Sequence, residues 1–292
     1  MGKIIRAMDE AGMVRVNFID STDIVNRAQK IHMTSPVATA ALGRTLSITA
    51  IMGSMLKGEA DSVTVLIKGD GPLGGIVCVA DGKGMVKGYV HQPLVDLPLK
   101  PNGKLDVSGA VGKGSLSISK DLGLKEPYLG QVPLVTGEIA EDFTYYFAKS
   151  EQTPTAVALG VLVDRDYSVK CAGGLLVQLM PDADDETIGL VERNIKNLSP
   201  VTEMMDSCLT SVDIVGKILA GLPFTILDSV EYEYRCDCNL DKIKRALISM
   251  GEKELQDIIE TEGKAELTCQ FCPEVYRLNQ EELEELLREA KN

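Results

Sequence analysis

The sequence predicts an α+β protein: a strand-rich N-terminal domain with a buried helix, then a helical linker, then a small C-terminal domain that carries most of the cysteines. Three observations predict this. Between Ser62 and Gln178 short strand-like runs follow one another instead of alternating with helices, which separates α+β from α/β. A helical period returns after Pro181. Four of the seven cysteines then fall in two tight clusters near the C-terminus. The 292 residues leave room for one sizeable core and a smaller unit, and a hydrophobic fraction of 45% suits a globular chain and not a disordered one. The expected boundaries are residues 1–180 for the core domain, 181–230 for the linker and 231–292 for the last domain.

Residues 4–18 alternate loosely, as a first strand does. Ser35 before Pro36 places an N-cap ahead of proline at the first helical position and opens a helix over Pro36–Lys57. That helix is apolar almost all round, so it belongs deep in the core. Strands are predicted at residues 63–67, 75–80 and 85–90, with the hairpin signal Asp81-Gly82 between the last two. Further strands are expected at 105–107, 114–118 and 128–137, then a helix at 139–151, and a strand pair at 156–163 and 168–178. In the linker Ile188, Val191, Ile195 and Leu198 share one helical face, Val201, Met204, Met205 and Cys208 continue it, and Val212, Val215, Ile218 and Leu219 form a third stripe. Packing on the core explains such stripes; conditional packing would make Ile188, Val191, Ile195, Leu198, Met204 and Met205 a surface for other apolar chains. The last domain is expected to hold a strand at 230–234 and helices at 240–250, 253–260 and 280–290.

Two glycine-rich loops resemble phosphate-binding motifs only superficially. Gly69-Asp70-Gly71-Pro72-Leu73-Gly74 has the dinucleotide spacing, but a strand follows where the pyrophosphate needs a helix N-terminus. Gly109–Ser115 has a similar look, but aligning Gly112-Lys113 with a phosphate loop puts Val107 where the first glycine is required and Gly114 where a hydroxyl residue is required. Both read as turns. His32 and His91 belong to no metal motif, and the acid pairs Glu141/Asp142 and Asp184/Asp185 suit helix starts. Cys78, Cys171 and Cys208 lie in apolar stretches and read as packing residues. No catalytic constellation is present, so no enzymatic activity is expected.

Cys236, Asp237, Cys238 and, thirty residues later, Cys269, Gln270, Phe271, Cys272 complete the description. Two thiolate pairs supply the four-sulfur shell that Zn²⁺ favours, although the first pair is C-x-C and the spacer exceeds the usual length. One Zn²⁺ per chain, held by Cys236, Cys238, Cys269 and Cys272, would staple a domain of about sixty residues, a size at which burial alone is marginal. Were each cluster to oxidise within itself, the loops closed would be tiny and the tie between clusters would vanish with the metal. The spacing therefore allows either an inert staple or a redox switch.

Charge and composition narrow the partners. The formal charge of −13 lies entirely in residues 181–292, where 12 Lys and Arg face 25 Asp and Glu; a nucleic-acid-binding zinc module needs the opposite sign. Residues 37–56 are the one apolar stretch long enough to suggest a membrane span, and Arg44 inside them argues against it. The opening residues lack the apolar run of an export signal, so a reducing cytoplasm is expected, where clustered cysteines bind metal or sense redox state. A cytosolic protein whose zinc module is purely structural, serving protein or nucleic-acid interaction, is the alternative.

The two cysteine clusters resemble those of the bacterial heat shock protein 33 family of redox-regulated holdase chaperones. Ala40–Thr45, Tyr128–Val132, Glu141–Tyr146 and Gln178–Pro181 are similar to that family as well, so the resemblance spans the chain. It implies a chaperone that is inactive while its four cysteines hold Zn²⁺. Oxidants together with unfolding stress would pair Cys236 with Cys238 and Cys269 with Cys272, eject the metal and unfold the last domain and linker. The activated protein, tending to a homodimer, would hold unfolding client proteins without ATP until other chaperones refold them.

Overall fold

The computed structural model describes residues 1–290. In chain order the elements are β1 (Gly2–Asp9), β2 (Val14–Asp20), α1 (Thr22–His32), α2 (Pro36–Ser54), β3 (Ser62–Gly69), β4 (Ile76–Asp81), β5 (Met85–Val90), α3 (Val107–Val111), β6 (Gly114–Asp121), β7 (Tyr128–Pro133) and α4 (Ala140–Lys149). They continue as β8 (Thr155–Val163), β9 (Val169–Leu179), α5 (Asp185–Lys196), α6 (Val201–Asp206), α7 (Ser211–Ile218), β10 (Phe224–Tyr234), α8 (Leu240–Met250), α9 (Glu252–Thr261), β11 (Lys264–Thr268), β12 (Val275–Asn279) and α10 (Gln280–Ala290). This is the predicted α+β class. The compact units are Met1–Arg235 and Cys236–Asn292.

In the first unit ten strands form one sheet in the order β7-β6-β3-β4-β5-β10-β1-β2-β9-β8. All neighbours are antiparallel except β5 and β10, which meet in parallel only at Glu233–Met85 and Tyr234–Val86. Helix α2 lies against this sheet with every residue buried except Pro36 and Arg44. Its hydroxyls would be costly there unpaired, and Thr45, Ser47 and Thr49 each donate to the carbonyl four residues back. Arg44 reaches Glu138 at 2.8 Å, which explains a charge within an apolar helix. No helix among the described residues is long and apolar enough to cross a membrane.

Several local expectations change. Residues 4–18 are two strands joined by a turn, and α1 follows them unpredicted because its buried stripe is only Ile24, Val25 and Ala28. The expected strand at 105–107 gives way to α3, whose N-cap Asp106 accepts from the Gly109 N–H at 2.9 Å, so half of the second glycine loop is helical. Asp142 is more than a helix-start acid: fully buried, it accepts from the backbone N–H groups of Val135, Thr136, Gly137 and Ile139 and ties the preceding loop to α4. Residues 224–234, divided in the sequence reading between linker and last domain, form the single strand β10 beside β1.

The opposite face of the sheet carries a second apolar cluster. Ile5, Ala7, Val14, Val16, Phe18, Leu175 and Val177 project from β1, β2 and β9 and are covered by α5, α6 and α7. The second unit has a core of its own, Leu247, Leu255, Leu278, Leu283 and Leu286, gathered from α8, α9, β12 and α10. Five buried leucines are a small core for a unit of this size.

Candidate metal centre

The first cysteine pair lies in the irregular stretch just before α8. Asn239 ends the stretch by capping α8, its side chain accepting from the Lys242 N–H at 2.9 Å, and Lys242 also pairs with Asp237 between the two cysteines. The second pair occupies the turn of the β11–β12 hairpin, whose register runs from Lys264–Asn279 to Thr268–Val275. The Cys269 N–H donates to the Glu274 carbonyl at 2.9 Å and closes that turn.

The four Sγ atoms converge to within 4.8 Å of one another. The separations of 3.7 Å for Cys236–Cys269 and 3.4 Å for Cys238–Cys272 compare with about 3.8 Å between sulfurs of a tetrahedral Zn²⁺ site with bonds of about 2.3 Å. Donor type, number and spacing all fit one tetrahedral metal ion. Among the described residues this is the only group of three or more His, Cys, Asp or Glu side chains so placed. All four cysteines are half-buried and free of disulfides.

The electrostatics are uneven around the cluster. Burial pushes the Cys236 thiol well up and that of Cys272 up to about 11. Burial acts on Cys238 in the same sense, but hydrogen bonds from Tyr276 and Cys272 outweigh it and leave this thiol below its ordinary value. The Tyr276 hydroxyl lies 3.1 Å from Cys238 Sγ. Metal binding needs thiolates, so filling this site releases protons and is opposed by acid.

The remaining candidates separate clearly. Val191 and Met204 are buried in the apolar cluster beneath the linker helices, Ile195, Leu198 and Met205 pack against it half-buried, and Ile188 is half-buried on α5. Val212, expected in the inward stripe, is 49% exposed, and Ile214 takes that inward position on α7 instead. Cys208 is exposed in a left-handed conformation, not buried on a helix face, whereas Cys78 and Cys171 are buried as expected. His32 bonds the Tyr234 hydroxyl at 2.8 Å and His91 stacks on Tyr89. Tyr276 has no sequence signal: a lone tyrosine four residues past a cysteine belongs to no motif.

A ten-stranded α+β unit followed by a small unit with four converging thiols able to hold a metal ion defines a class of cysteine-clustered two-unit proteins. The family described as Hsp33 protein matches residues 2–279. The chain is 50% identical over 287 residues to the 33 kDa chaperonin of Clostridioides difficile, covering 98% of each. It is 48% identical over 284 residues to that of Lachnoclostridium phytofermentans, covering 97% of each. The crystal structure of the 33 kDa chaperonin, a heat shock protein 33 homolog, from Thermotoga maritima superposes with a TM-score of 0.88 at 39% identity over 99% of both chains. The chain belongs to the Hsp33 family.

Proposed function

We propose that this protein is a cytoplasmic, ATP-independent holdase that is silent while its tail is metallated and becomes active when oxidation removes the metal. The observation that carries the reading is the convergence of four thiols within 4.8 Å in a unit whose own core is five leucines. Zn²⁺, when bound, supplies the crosslink that burial does not; in small metal-folded peptides it contributes about 10–16 kcal/mol. Cys236 and Cys238 tie the start of the tail to the β11–β12 turn, and losing that tie frees the segment.

The pairing on oxidation decides the outcome. Bonds across the clusters, Cys236–Cys269 or Cys238–Cys272, would close loops spanning 33 or 34 residues and keep the tail stapled. Bonds within the clusters, Cys236–Cys238 and Cys269–Cys272, the pairing that the Hsp33 resemblance implies, leave the two ends independent. We assign the active state to the second pairing. Release of the tail then relaxes α5–α7 from the sheet, baring Val191, Ile195, Leu198, Met204 and Met205, with Ile188 beside them, to apolar segments of unfolding clients. Dimerisation of the opened form follows from two such surfaces meeting.

The test is peroxide treatment of the zinc-loaded protein with a metal-sensitive dye, disulfide mapping by mass spectrometry and an assay of citrate synthase aggregation. The expected result is one Zn²⁺ released per chain, bonds within the clusters, and aggregation suppressed only by the oxidised form. Metal retained under peroxide with no gain in suppression would establish a static zinc module instead.

A further inference from the structure

Beside the cluster stands a hydroxyl that coordination does not use. The Tyr276 O–H lies 3.1 Å from Cys238 Sγ, and the ring is half-buried. Its strand is rigidly placed: β12 is registered residue by residue on β11, Tyr276 opposite Leu267, and Leu278, two residues further on the same side, is buried in the core of the unit. Tyr276 thus follows the Cys269–Cys272 turn in the chain yet reaches a sulfur of the other pair. A metal-bound thiolate has lone pairs and no proton, so in this contact the tyrosine must be the donor.

We infer that Tyr276 is a positioning residue that sets the peroxide sensitivity of the centre by holding a sulfur lone pair of Cys238 in a hydrogen bond. The inference rests on the switch reading above and adds the group that governs its rate. In the first step a thiolate lone pair attacks one peroxide oxygen. The O–O bond breaks, that oxygen stays on sulfur with its hydrogen as sulfenic acid, and the other leaves as hydroxide, which takes up one proton to become water. A second thiolate then attacks the sulfenic sulfur, hydroxide departs and is protonated, and the disulfide closes; two electrons have passed from the sulfurs to the peroxide. The lone pair needed at the start is the one the tyrosine engages. A hydrogen bond to a charged acceptor is stronger than a neutral one, and it must be given up or weakened as sulfur attacks. Cys238 is therefore less nucleophilic than metal ligation alone would make it.

The test compares full-length zinc-loaded wild type with Tyr276→Phe, which keeps the ring and removes the donor. Alkylation of Cys238 by iodoacetamide, followed by mass spectrometry, is expected to run about three- to tenfold faster in the variant, the upper figure being about 1.4 kcal/mol of barrier. Zinc release by peroxide is expected to quicken by a similar factor, from a protein that starts with one Zn²⁺ per chain as the wild type does. With Co²⁺ in the site, the sulfur-to-metal charge-transfer band is expected to shift. Leu278→Val is the companion variant, loosening the same strand while keeping the hydroxyl. An unchanged Cys238 alkylation rate in Tyr276→Phe overturns the inference, as does an equal acceleration in Leu278→Val, which would make the effect one of strand packing. If peroxide releases zinc from neither protein, the switch reading falls, and the alkylation rates and cobalt spectrum still decide the role of Tyr276.

Discussion

Truncating Ile218 to alanine separates conditional packing of the linker from permanent packing. Ile218 is fully buried on α7 against the β1–β2–β9 face, beside Ile214, Val215 and Leu219. The substitution removes three carbons, about 2.4 kcal/mol at about 0.8 kcal/mol per methylene. The cavity left behind raises the cost to about 3 kcal/mol, within the usual range for isoleucine truncations. At 1.4 kcal/mol per factor of ten this shifts the ratio of docked to undocked linker by roughly 100-fold. The cluster around α2 is separate from this one, so the loss falls on α5–α7 and not on the whole sheet. Native-state hydrogen exchange read by mass spectrometry is expected to show amides of α5–α7 opening roughly 100-fold more often, with β3, β4 and β6 unchanged. The reduced, zinc-loaded variant is then expected to suppress client aggregation without oxidant. Equal acceleration in the linker and in β3–β6 would mean that both open as one body, and an accelerated linker without client holding would mean that the face beneath it is not the client surface. Either result refutes the reasoning.

Three further outcomes follow from individual contacts. A Cβ on Gly160 would lie 2.7 Å from Thr202 Cγ2, since α6 sits directly on this strand position; Gly160→Val is expected to lift α6, seen as faster exchange confined to residues near 201–206. Burial pushes the Glu138 carboxylate up, but Lys100 and Arg44 outweigh it and hold it at about 2 against the ordinary 4.5. Because the folded value lies below the unfolded one, its contribution is complete above pH 4.5 and disappears as pH falls toward 2. Discounted for its partial exposure, this amounts to about 1–2 kcal/mol. In urea titrations the stability gap between wild type and Glu138→Gln should therefore be constant above pH 5 and close below pH 4. Chelation of the metal under reducing conditions, or Cys269→Ser, is expected to make residues 236–290 protease-sensitive while the first unit stays resistant; a protected apo tail would remove the metal from the proposed mechanism.

What the sequence determines by itself is whatever is encoded at short range. Helix α2 is legible from Ser35-Pro36 and a largely apolar run, the β4–β5 hairpin from Asp81-Gly82, and the thiol cluster from two cysteine pairs, because each is a property of neighbouring residues and of the backbone period they must adopt. Tertiary structure decides whatever depends on partners distant in the chain. It alone places β10 beside β1, so that Tyr232 pairs with Gly2. It turns Ile214 inward where the sequence pattern favoured Val212, exposes Cys208, and gives buried Asp142 its four backbone donors. It also brings the Tyr276 hydroxyl to Cys238 across 38 residues. Periodicity specifies which residues tend to share a face, whereas which faces meet is set by the joint packing of the whole chain, and no local pattern contains that information.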